Sequence, residues 1–174
     1  ILWGGDSKRS VISGSLAKEM MDELKKTVTA LNGRLLLTTS RRTSFEAEAM
    51  IRESLRGFVR CPFAIFPKEH NVPDGVGGIL GLSDIVIVSS DSISMVSEAV
   101  SSGKTVIVFK PEPRLVGQTS KHDRFVERLR SDGHIFLAEP KNIKEIICQI
   151  VSKNLKTALI NDQEIILEAA RKII

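Results

Sequence analysis

SDIVIVSSDSISMVSEAVSSGKTVIVF, residues Ser83–Phe109, holds two short runs that are almost wholly Ile and Val, separated by a stretch of helical length. The runs, Asp84 to Val88 and Thr105 to Phe109, show no polar alternation. Strands of that kind are parallel and buried on both faces, whereas a half-exposed strand alternates. Between them, Ile93, Val96 and Val100 fall on one face of a helix predicted over Ser92 to Ser102. Ser94, Glu98 and Ser101 fall on another. A strand, a helix and a second parallel strand make one right-handed crossover unit.

The same alternation extends in both directions. Ile1-Leu2-Trp3 reads as the end of a strand running into Gly4-Gly5. Leu16, Met20, Leu24, Val28 and Leu31 mark a helix that stops at Asn32-Gly33. Arg34 to Thr39 is a second strand, and a helix capped by Thr43 or Ser44 runs to Phe58, with Glu46 and Glu48 near its positive end. Phe63 to Phe66 is a third strand. A glycine-rich connection, Asp74 to Gly78, leads to a short helix over Ile79 to Leu82. After Phe109 comes a proline loop with Pro111 and Pro113, the longest irregular stretch. A helix over Lys121 to Ser131, a short strand at Ile135 to Leu137, a helix from Ile143 to Leu155 and a last helix from Asp162 complete the pattern. The expectation is an α/β domain with a doubly wound, mostly parallel sheet of about six strands, Rossmann-like, spanning residues 1–174.

Bulk composition narrows the class. The chain has 174 residues, enough for one domain with a sizeable core. Hydrophobic residues are 42% and charged residues 26%, as in ordinary globular proteins. No apolar run has membrane-spanning length. The first residue is Ile1 rather than Met, so a piece of a longer chain or a processed chain is expected. The net charge of +4 is mild and includes no long basic block, which argues against a nucleic-acid partner. Cys61 and Cys148 form neither a CxxC pair nor a metal spacing. The three histidines are scattered, so no metal and no bound cofactor are expected. Free thiols fit a reducing, cytoplasmic setting.

In a sheet of order 3-2-1-4-5-6, ligands bind beyond the carboxyl ends of strands one and four, where the winding reverses. Two loops are predicted to meet there. Gly4-Gly5-Asp6-Ser7-Lys8 offers backbone amides that approach an anion closely, with a hydroxyl and a positive charge beside them. A tight ligand-free turn would read the same way. Ser89-Ser90-Asp91-Ser92 opens a helix whose free N–H groups attract anions. Glu98 lies one turn, about 5.4 Å, farther along, a reasonable position for a carboxylate accepting hydrogen bonds from a ribose. The plainer alternative is a serine cap followed by an exposed Glu. In a third cluster, Thr38-Thr39-Ser40-Arg41-Arg42-Thr43 at the end of strand two, Arg41 or Arg42 is equally compatible with contact to a phosphate or base edge and with surface ion pairs. Gly103-Lys104-Thr105 is not a P-loop, because it lies between a helix and a strand and lacks the earlier glycine. The absence of GxGxxG argues against a nicotinamide dehydrogenase, and that of GxSxG against a serine hydrolase.

GGDSK, LLLTTSRRTS from Leu35 to Ser44, and the Ser83–Phe109 stretch, taken in this order, resemble the mitochondrial-fission Elm family. Bacterial members of that family are described as predicted nucleoside-diphosphate-sugar epimerases. The DS-S-MVSEA stretch is the most specific part, and the likeness thins beyond Phe109. The resemblance implies the C-terminal domain of a GT-B-like architecture, with the N-terminal half of the same protein as its partner across a cleft. It implies a nucleoside-diphosphate sugar as ligand, with Gly5 and Ser7 touching phosphate, Ser92 and Ser94 the diphosphate, and Glu98 the ribose. Gly4, Lys8, Ser40, Arg41, Asp91 and Met95 complete the candidate ligand-binding set. His70 to Asp74 departs from the Asn-Pro-Tyr-like turn of the pattern, and the chain has no Tyr. Two functions follow from the likeness: a glycosyltransferase or epimerase half that needs no metal, and a non-catalytic adaptor that recruits a protein at a membrane surface, with peripheral membrane association.

Overall fold

The computed structural model describes residues 1–70, 72–114 and 121–159. It is a mixed α/β protein with helices packed on short parallel sheets. The elements in chain order are β1 (Ser10–Val11), α1 (Gly14–Ala30), β2 (Leu36–Thr38), α2 (Phe45–Leu55), β3 (Phe63–Ile65), α3 (Gly75–Leu82) and β4 (Ile85–Ser89). They continue with α4 (Ile93–Ser101), β5 (Thr105–Phe109), β6 (Glu112–Pro113), α5 (Lys121–Ser131), β7 (Phe136–Ala138) and α6 (Ile143–Lys153), the last preceded by a 3-10 turn at Pro140–Asn142.

The β2–β3 pair is parallel, as are the three strands ordered β4-β5-β7. Residues 1–3 run between the two groups. Leu2 forms a parallel bridge with Thr38 on one side and with Val88 on the other. Its N–H donates to the Ile87 carbonyl at 2.8 Å, and the Trp3 N–H donates to the Thr38 carbonyl at 2.8 Å. In β4 and β5 the side chains alternate between two apolar clusters. Ile87, Ile107 and Phe109 join the cluster built from α1, α2 and α6. Val86, Val88, Val106 and Val108 join the one built from α3, α4 and α5. That two-sided burial is the reason the two strands carry no polar alternation.

The caps follow the chemistry expected of them. Ser44 accepts a hydrogen bond from the Ala47 N–H and starts α2. Asn32, at φ 51°, follows the end of α1. Trp3 is fully buried and meets the Phe109 ring edge-on at 5.2 Å, so it is a packing residue, and no acceptor among the described residues serves its indole N–H.

Two stretches differ from expectation. The glycine-rich connection is already helical, because α3 begins at Gly75. Packing of Val76, Ile79 and Leu80 against the apolar layer outweighs the poor intrinsic propensity of glycine. Within the proline loop, Glu112 and Pro113 pair antiparallel with Ser10 and Val11. Proline is tolerated there because a two-residue edge pairing does not need every donor. The last predicted helix, from Asp162, lies outside the described residues.

Candidate functional site

The carboxyl ends of β2, β4 and the 1–3 segment point the same way, and three loops leave from them: residues 4–8, 40–43 and 89–92. β2 and β4 end in polar residues directly after apolar runs, Thr38-Thr39 and Ser89. Most buried hydroxyls bond within the protein. Ser89 does so by bonding the first loop and its own loop. Its Oγ accepts from the Gly4 N–H at 2.8 Å and donates to Asp91 Oδ1 at 2.6 Å.

Asp91 is the hub. Its side chain is 0% exposed. Besides the Ser89 hydroxyl it accepts the Gly5 N–H on Oδ2 at 2.9 Å and an Arg42 Nη2 donor on the same oxygen at 3.3 Å. One carboxylate therefore ties the first loop, the end of β2 and its own loop together. The Thr43 hydroxyl donates to the Gly4 carbonyl, and the Asp6 N–H donates to the Arg42 carbonyl at 3.0 Å.

This closeness explains the glycines. A Cβ on Gly4 would lie 2.1 Å from Asp91 Oδ1, and a Cβ on Gly5 would lie 2.1 Å from the Arg42 carbonyl carbon. Gly4 and Gly5 are glycine because protein atoms approach them, and their amides are donated within the protein. Ser7 is similarly engaged. Its Oγ accepts the Arg9 and Ser10 N–H groups at 3.1 and 3.0 Å and bonds the Ser10 hydroxyl at 2.9 Å. Ser40 Oγ accepts the Arg42 N–H at 3.2 Å within the 40–43 turn. Lys8 and Arg41 are exposed, and neither is ion-paired among the described residues.

Helix α4 starts from the same junction. Ser92 caps it, with its Oγ facing the Met95 N–H at 3.4 Å. The N–H groups of Ile93 and Ser94 have no acceptor among the described residues, as the first turn of a helix dictates. Ser94 and Glu98 are exposed, whereas Met95 is half-buried against the α3–α5 cluster. No ion pair holds the Glu98 carboxylate among the described residues.

Supporting contacts come from below and beside the junction. Lys68, after β3, donates to the Thr43 carbonyl and lies 4.1 Å from the centre of the Phe45 ring. Glu48 is buried rather than merely facing the helix end, and Arg52 spans Glu48 and Glu69 at 2.9 Å each. Arg114 reaches Asp6 at 2.9 Å and joins the proline loop to the first loop. Thr39, at the end of β2, has a buried hydroxyl without a protein partner among the described residues.

The structure thus brings Gly4, Gly5, Ser40 and Asp91 into one bonded cluster, with Ser92 following at the start of α4. It leaves Lys8, Arg41, Ser94 and Glu98 on the surface. Ser89, Arg42 and Thr43 are the members that sequence reasoning undervalued. Ser89 and Thr43 were legible in principle as hydroxyls placed at the ends of apolar runs or just past them. The pairing of Arg42 with Asp91 was not, because it depends on a contact between residues 49 apart. No group of three or more His, Cys, Asp or Glu side chains with metal-holding geometry occurs among the described residues. No helix there is long and apolar enough to cross a membrane.

Comparison with known proteins adds one finding. No curated protein matches the chain. The family model described as mitochondrial fission ELM1 matches residues 1–163, almost all of the sequence and the whole three-loop junction, and the chain belongs to that family.

Proposed function

We propose that the chain is the nucleoside-diphosphate-sugar-binding domain of a GT-B-like protein that acts as a glycosyltransferase or as an epimerase on the same ligand. The observation that carries this reading is the meeting of the 4–8, 40–43 and 89–92 loops beside a helix start with free N–H groups, with an exposed carboxylate one turn on. In support of the finer fold, Leu2 bridges to Thr38 and to Val88, which would join the two parallel groups into one sheet of order β3-β2-(1–3)-β4-β5-β7. In such a doubly wound order the reversal lies at the 1–3 segment, beside the three loops.

In this reading the diphosphate lies at the start of α4, against the Ile93 and Ser94 amides and the Ser94 hydroxyl. Glu98 accepts hydrogen bonds from the ribose. Gly4, Gly5, Ser7 and Ser40 shape the floor through internal bonds. The helix end stabilises negative charge that gathers on the diphosphate as the glycosyl bond breaks. The catalytic base belongs to a second domain facing this one, so this chain supplies binding and leaving-group stabilisation. No metal or cofactor is part of the scheme.

The second reading, consistent with a family described by mitochondrial fission, is a non-catalytic adaptor for a protein partner. Thermal unfolding with a panel of UDP, GDP and the corresponding sugars separates the two. A ligand at ~100 times its Kd adds about 2.7 kcal/mol of stability. A folded chain that shifts with none of them sinks the first reading and leaves the adaptor. Glu98→Ala is expected to weaken ribose-containing ligands about tenfold or more, the loss of one charge-assisted hydrogen bond. Unchanged affinity removes Glu98 from the site.

A further inference from the structure

We propose that Arg42, oriented by the buried carboxylate of Asp91, is the cation that receives the ligand's diphosphate, with Asp91 as its positioning residue. The inference rests on the nucleotide-binding reading above and assigns a residue within that same site.

Asp91 was a candidate ligand contact by its place in the 89–92 loop, yet both of its oxygens are engaged within the protein. Oδ1 takes the Ser89 hydroxyl, and Oδ2 takes the Gly5 N–H and the Arg42 guanidinium. With a side chain 0% exposed, it cannot meet a ligand directly. Arg42 has the complementary arrangement. Its side chain is 50% exposed and makes one hydrogen bond among the described residues, to Asp91. A guanidinium has five N–H donors in a rigid plane, so anchoring one fixes the direction of the rest. The backbone of Arg42 is held as well. Its N–H donates to Ser40 Oγ, its carbonyl accepts from Asp6, and the Gly5 backbone lies against it.

The two partners are unequal in their remaining capacity. Asp91 divides its charge among three donors inside the protein, whereas Arg42 keeps a solvent-facing side with no second carboxylate within ion-pair distance among the described residues. Such an arginine is suited to a phosphate's paired oxygens, because it docks two of them in a preset plane with little further ordering. Its partner Asp91 directly precedes Ser92, the cap of α4, so the Arg42–Asp91 pair sits at the loop that starts the helix. Arg41, its neighbour, is exposed and carries none of these anchors.

The test is calorimetric titration with inorganic pyrophosphate and with the nucleoside diphosphate that gives the largest thermal shift, using the wild-type chain, Arg42→Gln, Arg42→Lys and Asp91→Asn. Arg42→Gln is expected to weaken both ligands at least tenfold, to flatten the salt dependence of binding, and to leave the affinity for the matching unphosphorylated nucleoside unchanged. Arg42→Lys restores the charge without the fork and is expected to recover part of the loss. Asp91→Asn is expected to act like Arg42→Gln on the diphosphate. Because Asp91 is buried, the half-exposed Arg42 pair decides the matter if that variant fails to fold. Wild-type-like diphosphate affinity in Arg42→Gln overturns the inference and leaves the nucleotide reading standing. Binding of pyrophosphate lost in Arg42→Gln, with no nucleotide bound by wild type, keeps the arginine site and sinks the nucleotide reading. A wild-type chain that binds neither overturns both.

Discussion

At Gly5 the constraint is steric, and it is measurable. Alanine there places a methyl group 2.1 Å from the Arg42 carbonyl carbon, against backbone rather than a movable side-chain tip. Gly5→Ala is expected to cost about 1–3 kcal/mol, the range for forcing extra volume into a packed site, read as a lowered urea midpoint. An unchanged midpoint means the 4–8 and 40–43 loops are not packed as described. Cys61 offers a second residue-scale check. Burial pushes its thiol pKa above the ordinary 9.0, more than a backbone hydrogen bond of Phe63 lowers it. The folded state therefore holds the thiol proton more tightly than the unfolded state does. Stability from this group falls as pH rises past about 9 and is unaffected well below it. Alkylation by iodoacetamide at pH 8 is expected to be slower in native protein than in urea, and equal rates refute the burial of the thiol. At this scale the sequence named loops that do meet, and left open what their glycines do. A Gly-Gly pair after a strand has the same appearance whether an anion or a neighbouring loop requires the space.

Among the elements, α3 is the one that local rules disfavour. Gly75, Gly77, Gly78 and Gly81 lie within its eight residues, and it forms because Ile79 is buried in the α3–α5 cluster. A Cβ at Gly78 meets nothing within 4 Å. Gly78→Ala is expected to stabilise the protein by roughly 0.5–1 kcal/mol, through helix propensity and a less variable unfolded chain. Urea unfolding reads the change, and a loss of stability would show that the glycine face is needed for something else. The strands β4 and β5 and the helix between them were legible because continuous Ile and Val runs leave few alternatives. The β1–β6 pairing was not, since Ser10–Val11 and Glu112–Pro113 carry no strand pattern and meet only through tertiary contact. Element α3 was half legible. Its apolar end marked a helix, while its glycines concealed where that helix starts.

For the molecule as a whole, the alternation of side chains between two apolar clusters couples the helices on both faces through the strands. Leu2, fully buried and bridged to both sheets, is the point where that coupling is narrowest. Leu2→Ala is expected to cost about 2–5 kcal/mol and to lower the midpoint seen by tryptophan fluorescence and by far-UV circular dichroism equally, because Trp3 is buried beside it. Separate transitions for the two probes would mean that the two sheets unfold independently. The α/β class and the meeting of distant loops could be inferred from strand order alone. The side chains that fasten them could not, because hydrogen-bond partners across the junction follow from coordinates rather than periodicity. That fastening also sets a schedule for biosynthesis. The Gly5 amide and the Asp91 carboxylate are 86 residues apart, so the glycine turn leaves the ribosome long before the acid that holds it. Until β4 and its following loop emerge, residues 1–3 lack one flanking strand, and their exposed backbone and apolar side chains are open to wrong pairings. The junction is thus completed only once Asp91 has emerged.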